Sequence, residues 1–124
     1  MIIYIDTASE INKIKSFSDE GDFLCEMALE SNRNQTEKIL LEIDRLIDGK
    51  KHDITNIYVN ISPGSYTSSR VGVTVANFLG FSLNIQPHGV ISEDEIDAEK
   101  SELFTKPIVP AYKSAPEITK KSGL

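Results

Sequence analysis

Residues 56–84, NIYVNISPGSYTSSRVGVTVANFLGFSLN, constrain the fold more than any other stretch. Ile57, Tyr58, Val59, Asn60 and Ile61 make a short, mostly apolar run rich in β-branched residues, which suits a strand covered on both faces. Ser62, Pro63, Gly64 and Ser65 then break the strand, because proline fixes its φ and glycine takes conformations other residues avoid. Beyond the turn, Val71, Val75, Phe78, Leu79 and Leu83 recur at helical spacing to about Asn84. Gly72 and Gly80 fall on nearly one side of that helix. Each costs about 1 kcal/mol in a helix interior, so the close approach of another backbone is expected there. The unit reads strand, tight turn, long buried helix.

The rest of the chain supplies partners for this unit. Ile2, Ile3, Tyr4 and Ile5 form an apolar run ending in Asp6-Thr7-Ala8, as a buried first strand would. Ile11, Ile14 and Phe17 repeat every third residue, Ser18 to Asp22 is a turn by composition, and Phe23, Cys25, Met27 and Leu29 alternate. This predicts a hairpin of two strands, the second with one buried face. Asn34 and Glu37 make a capping box for a helix whose apolar stripe is Ile39, Leu40, Ile43, Leu46 and Ile47. Ile85 to Val90 is a short strand, and Pro87 makes it an edge or a strand start. Residues 92–102 are acidic, a short exposed helix or a solvated loop, and an extended tail follows from Pro107. The expected units are 1–92 as one domain, 93–106 as an acidic connector and 107–124 as the tail.

A chain of 124 residues can bury one real core, and 40 % hydrophobic with 26 % charged residues is ordinary for a globular protein. A net charge of -6 argues against unaided binding to a nucleic-acid backbone. Cys25 is the single cysteine, which excludes an internal disulfide. With no signal peptide or spanning apolar run, a reducing cytoplasm and no membrane association are expected.

Candidate chemistry is sparse. Asp6 could hold a metal or a phosphate-bound water, but a carboxylate bonded to its own turn, Thr7-Ala8-Ser9, is the preferred reading. A nuclease needs carboxylates converging on two metals, and Asn60 stands where a second acid would be useful. The turn at Pro63, Gly64 and Ser65 precedes a helix N-terminus, which can bind anions, yet the same turn is needed merely to reverse the chain. Ser65 or Thr67 serves equally well as the helix cap. Arg70 could clamp a phosphate, pair with a partner's carboxylate or sit in solvent. His52 and His88 have no cysteine or histidine at ligand spacing, so neither a metal nor a cofactor is expected. Cys25 reads as a small core residue.

Asp6-Thr7-Ala8 after the first strand resembles the opening of the TsaB (YeaZ) family of bacterial subunits for tRNA threonylcarbamoyladenosine biosynthesis. The stretch from Ser62 to Gly72 is similar to that family's signature, Gly-Pro-Gly-Ser-Phe-Thr-Gly-Leu-Arg-Ile-Gly in most members. Pro63, Gly64, Ser65, Thr67, Arg70 and Gly72 match it, Tyr66 and Val71 are conservative, and Ser62, Ser68 and Ser69 depart from it. Asn84 to Val90 resembles the segment that follows. The implied fold is α/β, a single RNase H-like layer of the actin-like ATPase superfamily, with a mixed sheet, hairpin strands, two main helices and a short acidic segment. Family members continue into a second layer, for which the roughly thirty residues after Ser92 are too few. Pro110, Tyr112 and their neighbours nonetheless resemble the family's C-terminal end, as if a second domain had been removed and the tail kept.

The resemblance implies a non-catalytic scaffold that binds TsaD, the catalytic paralogue, with TsaE, an ATPase, joining the assembly. It implies a homodimer when TsaD is absent, and tRNA contact only through the partner. Contacts are expected along two helices, at Lys38, Leu41 and Arg45 on the first and Tyr66, Ser69, Arg70, Val73 and Asn77 on the second. A helix apolar nearly all round, as 66–84 is, is either buried or shared with a partner. The alternative is a minimal nucleotide-binding or ATP-hydrolysing relative using Asp6 and the 62–67 turn.

Overall fold

The computed structural model describes residues 1–8, 11–30, 35–47, 49, 53–62 and 66–109. Five strands form one sheet: β1 (Ile2–Asp6), β2 (Ile11–Phe17), β3 (Phe23–Glu30), β4 (Asn56–Asn60) and β5 (Pro87–Val90). Two helices, α1 (Gln35–Ile47) and α2 (Tyr66–Leu83), complete the layer. The strand order is β3-β2-β1-β4-β5. β1, β2 and β3 are antiparallel neighbours, whereas β4 runs parallel to both β1 and β5. The expected mixed sheet, hairpin and pair of helices are all present. β5 is the edge strand and Pro87 its first residue, where a missing N–H breaks no internal ladder.

Both helices pack on one face of the sheet. Ile3, Ile5, Ile14, Ile57 and Val59 meet Ile39 and Ile43 of α1 and Val73, Val75 and Ala76 of α2 in one buried cluster. Every residue of β4 is buried, as a central strand with two covered faces requires. The helix ends in a Schellman arrangement: Asn84 takes φ 58°, the Ile85 N–H donates to Gly80 O at 2.8 Å and the Asn84 N–H to Phe81 O at 3.4 Å. The capping box at Asn34 lies outside the described residues.

Two expectations are corrected. Among its described side chains β3 buries no face: Phe23, Leu24 and Cys25 are exposed, and of these described side chains Met27 alone packs partly against the core. It is the outermost strand, and the helical layer seals over Ile14 of β2 instead. Cys25 is therefore a surface thiol, not a core residue. In β2 the buried side is Asn12, Ile14 and Ser16, two of them polar, which hid the alternation from a hydrophobic pattern.

The acidic segment proves to be the cover of the opposite sheet face. Ser92 caps a single 3₁₀ turn, Glu93–Glu95, through a capping box, and that turn is exposed. Beyond it Ile96 and Ala98 pack on Ile2, Tyr4, Tyr58 and Val90. Side chains from the sheet hold the backbone of this strap. The Tyr58 hydroxyl donates to Asp97 O at 2.8 Å and accepts from Asp97 N at 3.0 Å, and Asn56 Nδ2 donates to Lys100 O at 2.9 Å. Gln86 continues the clasp, its Oε1 accepting from Thr105 N at 2.8 Å and its Nε2 donating to Lys106 O at 2.9 Å. Asn77 of α2 then exchanges two bonds with the backbone of Ile108, both 2.9 Å. Residues 110–124, with Pro110 and Tyr112, lie outside the described part.

His88 of β5 sits under this strap with its ring 5.4 Å from that of Tyr58 and its side chain only 14 % exposed. Burial, helped by the nearby Lys100 charge and opposed by Glu102, lowers its pKa below the ordinary 6.5. The unfolded chain therefore takes up this proton more readily than the folded one. The stabilisation is whole above 6.5 and is lost as pH falls from there through the lowered folded value. The urea midpoint should drop between about pH 7.5 and 5.5, and less so in His88→Gln, because carboxylates common to both proteins cancel in the comparison. Equal pH slopes for the two proteins would count against a buried neutral imidazole.

Candidate functional site

The two sequence motifs, whose contacting residues Thr7 and Gly72 are 65 apart along the chain, meet at the ends of β1 and β4. Asp6 closes β1, and its Oδ1 accepts from the Ala8 N–H at 3.0 Å, bending the chain into an Asx turn. That is the turn bond favoured above a metal or phosphate role for this carboxylate. The turn drives Thr7 inward, where it is fully buried and its Oγ1 accepts from the Gly72 N–H at 3.0 Å. A Cβ on Gly72 would stand 2.5 Å from Thr7 Oγ1, so glycine is needed for this contact. Gly80 serves the other end of α2: its Cβ would lie 2.5 Å from Ile85 O and 2.7 Å from Pro87 Cδ. Backbone approach thus explains Gly80, whereas a threonine side chain explains Gly72.

Asn60, at the end of β4, is held in place from both sides. Its Nδ2 donates to the Tyr4 hydroxyl at 3.3 Å and its Oδ1 accepts from Ser62 N at 2.8 Å. Burial, with the charges of Asp6 and Glu93 adding to it, pushes the Tyr4 hydroxyl up to about 12, so it stays protonated at neutral pH. Across the same face Lys15 reaches Glu93 at 2.6 Å, and this hydrogen bond raises the lysine pKa. Two open clefts have acidic linings. One, of about 410 Å³, is lined by Glu20, Glu93, Asp94 and Asp97 among others, and the second, about 520 Å³, by Asp19, Glu20 and Asp53. Their carboxylates repel the phosphates of a nucleotide or a tRNA.

The outer side of the helical layer has the opposite character. Leu41 of α1 is exposed, as are Lys38 and Arg45, with Arg45 Nη1 2.7 Å from Glu42 Oε1. On α2, Arg70 is exposed, and so are Phe78 at 58 % and Phe81 at 72 %, the latter in edge contact with Phe104. Tyr66, Thr67 and Ser69 fall in the opening turns of α2, but their side chains, and all of Pro63, Gly64 and Ser65, lie outside the described residues. Val73 is buried in the core and Asn77 holds Ile108, so these two expected contact residues face inward or serve the strap. Phe78 and Phe81 take their place on the open side. Their helix is apolar around most of its girth, and that pattern alone does not tell an inward phenylalanine from an outward one. Among the described residues, no helix is long and apolar enough to cross a membrane.

Comparison with known proteins agrees with this architecture. Residues 8–113 match the family model described as TsaD: tRNA N6-adenosine threonylcarbamoyltransferase. Among solved structures the chain is similar to YeaZ from Pseudomonas aeruginosa, with a TM-score of 0.62 and 22 % identity. The match covers 72 % of this chain and 42 % of that one. A second structure, of an uncharacterized protein with similarity to peptidase YEAZ from Pseudomonas aeruginosa, gives the same values. The match therefore spans less than half the length of those structures. No curated protein matches it. The RNase H-like layer inferred from the motifs is the fold of YeaZ, and with the family model covering most of its residues, the chain belongs to the family described as TsaD: tRNA N6-adenosine threonylcarbamoyltransferase.

Proposed function

We propose that this chain is a non-catalytic scaffold subunit of the assembly that makes threonylcarbamoyladenosine on tRNA, and that it supports a TsaD-type catalytic subunit in the cytoplasm. The observation that carries this reading is the set of exposed apolar side chains on the helical layer, Leu41, Phe78 and Phe81, with Lys38, Arg45 and Arg70 also exposed on the same two helices. Large apolar side chains in such a setting mark a protein interface. The family motif supports the same view, since Thr7 and Gly72 brace strand to helix and Asp6 is tied to its own turn. Acidic clefts and a net charge of -6 favour tRNA contact through the partner only. A TsaE-type ATPase would join through the catalytic subunit, and a homodimer would form on the same helices in its absence.

Size-exclusion chromatography with light scattering tests this, run on the chain alone and mixed with a TsaD-type protein of the same source. A heterocomplex at micromolar concentration is expected. Leu41→Asp and Phe78→Asp should each weaken it by about tenfold or more, as the loss of an apolar anchor does. Separate elution of the two wild-type proteins would remove the scaffold role.

A further inference from the structure

The exposed aromatic side of α2 continues onto the strap. Phe78 and Phe81 stand one helical turn apart, so they are neighbours on one face, and both are exposed. The ring of Phe81 meets that of Phe104 edge to face, with centroids 5.7 Å apart and planes at 83°. Phe104 itself is only partly buried. The strap changes character here: residues 92–102 hold six carboxylates, whereas residues 103–109 carry a single charge, on Lys106. The placement of this apolar stretch is fixed on either side of Pro107. Gln86 grips the main chain of Thr105 and Lys106, and Asn77 grips both the N–H and the C=O of Ile108. Proline removes further freedom between the two grips. Most of the cost of ordering the segment is therefore met before any partner arrives.

We propose that Phe104 is a contact residue for the TsaD-type subunit, and that Asn77 is a positioning residue that presents it by holding the strap against α2. This rests on the scaffold role and adds to it an element outside the two helices. The occupant follows from continuity. A standard interface takes about 800 Å² from each partner, more than two phenylalanines supply at roughly 150–250 Å² each. A subunit seated on Phe78 and Phe81 must spread to what adjoins them, and the ring against Phe81 is that of Phe104. Asn77, expected to touch the partner directly, acts instead at one remove, through Ile108.

Isothermal titration of the chain with a TsaD-type protein of the same source tests this, with a thermal melt of each variant beside it. Phe104→Ala should weaken the complex about tenfold with little change in melting temperature, since the ring is only partly buried. Phe104→Leu, which keeps an apolar side chain, should recover most of the affinity. Asn77→Ala should weaken binding about threefold, and Asn77→Ala/Phe104→Ala should bind no more weakly than Phe104→Ala alone, because the amide acts through the ring. Losses that multiply in the double variant would make Asn77 a direct contact and overturn its positioning role. Binding lost in Phe78→Asp but kept in Phe104→Ala would end the surface at α2 and overturn this inference alone. If Phe104→Ala abolished self-association and left partner binding intact, the strap would face a second copy instead, which also overturns it. The absence of any complex with the wild-type chain would remove it together with the scaffold role.

Discussion

Gly80→Ala should lower the stability of this domain by about 3 kcal/mol, toward the upper end of overpacking costs. The added methyl would sit 2.5 Å from Ile85 O and 2.7 Å from Pro87 Cδ. The oxygen belongs to backbone pinned by the Ile85 N–H bond to Gly80 O, and Pro87 opens β5. Neither can rotate away, so the end of α2 and the start of β5 must separate. Better helix propensity returns at most about 1 kcal/mol. Against a total of roughly 5–15 kcal/mol the loss is large, and the melting temperature should fall by roughly 10 °C. Hydrogen exchange should rise first in β5 and the strap behind it, since Gln86 anchors both. A melt unchanged within a degree or two would mean that the helix end is free to shift.

Gly72→Ala should cost about 2 kcal/mol, and a second substitution should restore part of it. Here the obstacle is a side chain: Thr7 Oγ1 at 2.5 Å and Cγ2 at 3.3 Å from the new methyl. Thr7 cannot swing out, because it is fully buried and its hydroxyl accepts from the Gly72 N–H. Thr7→Ala removes both obstructing atoms. Thr7→Ala alone should cost about 1 kcal/mol for the lost hydrogen bond and packing. In the double variant the two losses should fall short of their sum by about 1–2 kcal/mol, measured by urea unfolding of all four proteins. Strict additivity would show that the two family motifs do not touch in the way described. Retained binding of a TsaD-type partner by the folded double variant would further show that the Thr7–Gly72 brace serves stability alone.

Much of this was legible in the residues. The continuous apolar runs at 2–5 and 57–61 announced central strands, because only a strand covered on both faces takes an unbroken row of β-branched side chains. The turn composition of 18–22 located the hairpin, and Pro87 located the second edge. The two glycines of α2 forecast close approach. The family could be recognised because its signature residues serve geometry that tolerates few substitutions, as Gly72 against Thr7 demonstrates.

Other features depend on where elements lie in space. The alternation of Phe23, Cys25 and Met27 identified a strand but not its exposure, since that depends on whether the helices extend past β2. Residues 93–102 looked like solvated acid, yet Ile96 and Ala98 suffice to seat them on the sheet once Asn56 and Tyr58 hold their backbone. No local pattern reports such bonds, which join residues about forty apart in the chain. Val73 and Phe78 likewise look equivalent in a helix that is apolar nearly all round. Periodicity is a property of neighbours along the chain and so specified strands, turns and helices. Burial is a property of neighbours in space, and only the packed sheet and its helices assigned Val73 to the core and Phe78 to the surface.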